Sequence, residues 1–90
     1  GLKGEITEEI LERSPAGVVV IDSPDFHLPL LKALRKKGYR GKVFYIAPPA
    51  VWAWRSGRVS LLAELCDLCF PLFDFERIFL EGHGVPCRWF

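Results

Sequence analysis

Apolar residues recur along the chain with two different periods. Over residues 5–13, Ile6, Ile10 and Leu11 stand at the spacing of one helix face. "GVVVI", residues 17–21, is a β-branched run without polar alternation, the pattern of a strand covered on both faces. Leu28, Leu31 and Leu34 then repeat every three residues, with Pro29 suited to the first turn of a helix and Gly38 to its C-cap. "KVFYIA", 42–47, predicts a second strand. From Ser56, read as an N-cap, Val59, Leu62, Ala63 and Cys66 fall at i, i+3, i+4 and i+7 of a third helix. "LCFPLF", 68–73, predicts a short third strand at an edge or a strand end, because Pro71 has no N–H for a ladder. Asp74 reads as the cap of a fourth helix that carries Phe75, Ile78 and Phe79 and stops at Gly82. "PCRWF", 86–90, closes the series as a fourth strand.

Strands alternating with helices of about ten residues imply right-handed βαβ units, hence an α/β fold with a parallel β-sheet. Ligands of such sheets bind outside the carboxyl ends of the strands. Three loops leave those ends, at 22–27, 48–55 and 73–76, and they hold most of the chain's unusual residues.

Composition narrows the classes. The 90 residues are 50% hydrophobic and 26% charged, as in a single small globular domain. A net charge of +1 gives no footprint for nucleic acid. No apolar run nears the roughly 20 residues of a membrane span. The opening "GLKGEITEEILERS" is acidic and helical, so no secretory signal is expected in it. Three cysteines, an odd number, argue for a reducing compartment rather than a disulfide framework.

In "IDSPDFH", Asp22 follows a strand directly and Asp25 precedes a helix. A partly desolvated carboxylate at a strand end suits a general base, whereas capping alone rarely needs both residues. His27 is a possible proton carrier, or a polar group at a helix start. Cys66 and Cys69 spell C-x-x-C, but a redox or zinc site needs more ligands or a helix start after the first cysteine. Small buried hydrophobes are the better reading. Arg55 and Arg58 lie where a helix N-terminus can help them hold phosphate. Trp52 and Trp54, in a Pro-rich loop, are either core or an apolar wall for a ligand or a membrane surface. Two further classes stay open on the residues alone. One is a metal-dependent phosphohydrolase using Asp22 and Asp25, and the other a non-catalytic membrane-binding module.

Taken together, "VVVIDSPDFHLPLLKALRKKG", "VFYIAPPAVWAWRSGRV" and "CDLCFPLFDFERIFLEGHGVPCRWF" resemble the lipid-A-disaccharide synthase family over essentially the whole chain. The resemblance implies one Rossmann-like half of a two-domain GT-B glycosyltransferase. Residues 1–90 are then a truncated part of the N-terminal, acceptor-side domain, with the nucleotide-binding C-terminal domain absent. The implied reaction moves 2,3-diacylglucosamine from its UDP-activated form to 2,3-diacylglucosamine 1-phosphate for lipid A of Gram-negative cells. UDP is released, and no cofactor is needed beyond the UDP-sugar substrate. The implied location is cytoplasmic and peripheral on the inner membrane. Asp22 falls on the family's candidate base, while Asp25, His27, Trp52, Arg55, Arg58 and Glu76 become candidate acyl, sugar or phosphate contacts. His27 replaces the family's usual Asn, the loop between Tyr45 and Trp52 is one residue longer, and Asp74 replaces the Pro of the family's "PFE". Without the family's glycine-rich loop and second domain, the isolated chain is expected to be inactive, and to self-associate.

Overall fold

The structure, a computed structural model, describes residues 1–48 and 56–88, with side chains of the third helix described from Val59 onward. The order is α1 (Leu2–Arg13), β1 (Gly17–Ile21), α2 (Pro24–Lys36), β2 (Lys42–Ile46), α3 (Ser56–Leu65), β3 (Leu68–Phe70) and α4 (Asp74–Gly82). The strands form one parallel sheet in the order β1-β2-β3, with Val20 opposite Tyr45 and Tyr45 opposite Cys69. The fold class is the expected one: α/β, with helices alternating along a parallel sheet.

Several boundaries differ from the sequence expectation. α2 starts at Pro24, so Pro29 lies inside the helix rather than in its first turn. Proline removes one backbone bond there, but buried Leu28, Leu30, Leu31 and Leu34 hold the helix to the core on either side of it. Ser56 is already helical, not a cap, and Cys66 lies one residue past the end of α3. β3 stops at Phe70 because Pro71 cannot extend the ladder. Asp74 is inside α4, whose N-cap is Phe73, and its carboxylate accepts from Arg77 Nε at 2.8 Å. The fourth strand is reduced to one parallel bridge between Cys69 and Cys87, and residues 89–90 lie outside the described residues.

Two helices end in the same way. Lys37 caps α2, Gly38 follows with φ 100°, and N–H groups of Gly38 and Tyr39 donate to the carbonyls of Arg35 and Leu34. In α4 the stop is Gly84, with φ 83°, rather than Gly82. Gly84 and Val85 donate to Glu81 and Leu80. Each is a Schellman motif, whose left-handed residue glycine adopts without steric cost.

The strands advance in one direction, so right-handed crossovers bring α2 and α3 to the same face of the sheet. Against that face the core gathers Val20, Val43, Tyr45 and Cys69 with Leu28, Leu31 and Leu34 of α2, Leu62 and Leu65 of α3, and Leu80 of α4. Each fully buried Leu contributes about 1.5–3 kcal/mol of transfer free energy. The opposite face is open: Val19 and Ile21 are more than half exposed. The expectation that β1 is covered on both faces therefore fails in this chain. At the amino edge, Arg35 ties the layers together. Its guanidinium donates to the carbonyls of Leu65, Tyr39 and Gly41 and to Asp67, whose carboxylate also accepts from the Val43 N–H.

Candidate functional site

The carboxyl edge has an unusual backbone. One bond past β1, the Asp22 N–H still donates to the Ile46 carbonyl at 3.0 Å, and one past β2, the Ala47 N–H donates to the Phe70 carbonyl at 3.0 Å. The chain then turns left-handed at both places: φ is 54° at Asp22, 44° at Ser23 and 54° at Ala47. None of the three is glycine, so each turn costs on the order of 1–2 kcal/mol.

The turn at Asp22 is held by side chains. Tyr45 Oη, from the middle strand, donates to the Asp22 carbonyl at 2.8 Å, and His27 Nδ1 reaches the same oxygen at 2.6 Å. Tyr45 is fully buried. Burial, then Cys66 and Asp22, push its hydroxyl well above the ordinary tyrosine range, so it remains a donor. The His27 ring stands edge-on to Phe26 and to Tyr45, with centroids 5.5 and 6.1 Å away.

The candidate residues are dispersed over this edge. Asp22 is exposed rather than partly desolvated. Asp25 sits in the first turn of α2, and the N-cap assigned to it is Ser23. His27 lies in the same turn, half-buried, bonded within the chain. Glu76 is buried at 4% exposure in the first turn of α4. That turn follows β3, two strands from β1, or about 10 Å across the sheet. Trp52, Trp54 and Arg55 lie outside the described residues, as does the side chain of Arg58. Among the described residues, no group of three His, Cys, Asp or Glu is placed to hold a metal ion, so the geometry does not carry the phosphohydrolase reading.

Two features of the edge were not expected. The sequence reading gives Tyr45 only a place in a strand, although a buried tyrosine needs a hydroxyl partner, and that is the available signal. Leu72, Phe73, Phe75 and Ile78 are each more than half exposed, and the Phe73 and Phe75 rings stack with centroids 5.7 Å apart. Of the apolar positions that the sequence predicts for α4, Phe79 packs partly buried against the core, but Phe75 and Ile78 are exposed, and Leu80 and Glu76 are the residues the helix buries. The cysteines are free. A hydrogen bond with Cys66, and then burial, push the Cys69 thiol far above its ordinary range, as expected of a small buried hydrophobe. No described helix is long and apolar enough to cross a membrane.

The family model described as lipid-A-disaccharide synthetase matches residues 2–90. Lipid-A-disaccharide synthase of Pseudomonas aeruginosa (strain LESB58) is 46% identical over 80 residues, covering 89% of this chain and 21% of that protein. The synthase of Chlamydia pneumoniae is 44% identical over 73 residues, covering 81% of this chain and 12% of that protein. That of Rhodospirillum centenum (strain ATCC 51521 / SW) is 40% identical over 85 residues, covering 94% and 21%. The chain thus spans about a fifth or less of the length of these relatives.

Proposed function

The chain belongs to the lipid-A-disaccharide synthase family, and on that premise we propose that it forms part of the N-terminal, acceptor-side domain of a GT-B glycosyltransferase. The whole enzyme transfers 2,3-diacylglucosamine from its UDP-activated form to 2,3-diacylglucosamine 1-phosphate. In this reading the Asp22 carboxylate takes the proton from the acceptor's 6-hydroxyl. The oxygen attacks the anomeric carbon from the face opposite UDP, the carbon–oxygen bond to UDP breaks, and the β-1,6 linkage forms with inversion. UDP is the leaving group, so no cofactor takes part. A second domain supplies most of the nucleotide contacts, so these 90 residues alone have no transferase activity.

One observation carries the base assignment. Asp22 is the first residue after β1, exposed on the edge where parallel sheets bind their ligands, in a turn whose backbone is fixed by Tyr45 and His27. The exposed Leu72, Phe73, Phe75 and Ile78 lie at the same end of β3. They support contact with acyl chains at the cytoplasmic surface of the inner membrane, on which the enzyme is peripheral. Trp52 is proposed to line the same acyl path, Arg55 and Arg58 to meet the acceptor phosphate, and Asp25 to contact sugar.

Asp22→Asn in the full-length enzyme tests the assignment. The expected result is a loss of about 10²–10⁴ in kcat with an unchanged melting temperature. A loss of only a few-fold removes Asp22 from the role of base.

A further inference from the structure

The Asp22 carbonyl receives hydrogen bonds from side chains on two different elements, Tyr45 of β2 and His27 of α2. A carbonyl only accepts, so His27 Nδ1 carries the hydrogen. An imidazolium carries one there too, so the bond does not depend on the ring's charge. The Asp22 N–H is also tied, to the Ile46 carbonyl. The peptide groups on both sides of the Asp22 Cα are therefore fixed, and with them the direction in which its side chain leaves the backbone. None of these three bonds uses the carboxylate.

The two clamps differ in character. Tyr45 lies in the core, where its ring packs whether or not Asp22 has a function. His27 is half-buried on the first turn of α2, and its ring meets only Phe26 and Tyr45 among the described aromatic rings. Its bond of 2.6 Å is the shorter of the two to that oxygen. It acts against a turn in which two successive non-glycine residues are left-handed.

We propose that His27 is a positioning residue for Asp22, holding the Asp22–Ser23 turn in the one conformation from which the carboxylate meets the acceptor hydroxyl. The inference rests on the reading of Asp22 as the base. It assigns His27 a role through Asp22 rather than a contact with substrate.

The test is made on the full-length enzyme that carries this segment. His27→Ala is expected to lower kcat about ten- to a hundredfold, the scale of a misplaced catalytic group, with KM for both substrates and the melting temperature close to wild type. His27→Asn retains an N–H donor and is expected to recover most of that loss. In an Asp22→Asn background, His27→Ala is expected to leave the residual rate unchanged, because residues that act as a unit are not additive. An unchanged kcat in His27→Ala overturns the proposal. So does a raised KM with kcat intact, which marks a direct substrate contact, or a fall in melting temperature that accounts for the lost activity. The two readings fail differently. A mild Asp22→Asn phenotype defeats the base assignment, whereas a severe one beside a silent His27→Ala defeats only the positioning role.

Discussion

Tyr45 shows how one side chain serves both stability and site. Its ring fills the centre of the sheet face between Val20 and Cys69, and its hydroxyl reaches past the strand end to the Asp22 carbonyl. A Phe there would keep the packing and leave the Asp22 carbonyl to His27 alone. Cys69 beside it, and Cys87 bridged to Cys69, behave as apolar residues with a measurable consequence. Burial, reinforced by Glu81 and opposed by Arg77, pushes the Cys87 thiol up to about 11 from an ordinary 9.0. The unfolded chain therefore releases that proton first. The contribution is complete below about pH 9 and is lost as pH rises towards 11. Cys69 and Tyr45 are raised as well, which extends the loss in the same direction. Urea midpoints of the 90-residue chain are expected to be flat up to about pH 9 and to fall between about 9 and 11, and Cys87→Ala to fall less steeply. A midpoint that stays level across that window contradicts the shielding of these thiols.

The elements owe their limits to backbone chemistry more than to apolar spacing. α2 and α4 both run until a glycine can turn left-handed, at Gly38 and Gly84, and each motif closes on a buried pair, Tyr39 with Leu34 and Val85 with Leu80. Gly38→Ala and Gly84→Ala are each expected to destabilise the chain by about 1–2 kcal/mol, the cost of a Cβ in that conformation. Nothing lies within 4 Å of where the new Cβ would stand at either site, so the penalty is conformational and not a clash. Gly82→Ala, inside α4 with equally open space, is the control. It is expected to be neutral or stabilising by up to about 1 kcal/mol, and equal effects at Gly82 and Gly84 would refute this account of where α4 stops.

At the scale of the molecule, the described sheet is covered on one face only. Helices α2 and α3 cover that face, and Val19 and Ile21 stand on the other beside half-buried Phe44, Ile46, Leu68 and Phe70. Water wets that face poorly, and β1 is an edge of the described sheet. The isolated chain is expected to self-associate. Sedimentation velocity on the wild type should give a weight-average mass that rises with concentration, and the Val19→Lys, Ile21→Lys double variant should sediment closer to a monomer. A concentration-independent monomer for the wild type would show that the open face is not adhesive.

Much of this was legible in the linear chain. β-branched runs and three-residue leucine repeats identified the strands and helices, and their alternation required a parallel sheet, whose carboxyl edge holds the candidate residues. "IDSPDF", in combination with "VWAWR", carried the family. Those signals are local, or depend only on order, and periodicity records them directly. What the linear chain did not contain was which surfaces meet. That β1 is bare on one face follows from the direction in which successive crossovers advance. That Glu76 is buried while Phe75 and Ile78 are exposed depends on how α4 lies against its neighbours. The clamp on Asp22 joins residues 22, 27 and 45 across two elements. His27 and Tyr45 looked like a helix-start residue and a strand residue, and became one arrangement only when the parallel register brought the end of β1 beside the middle of the sheet.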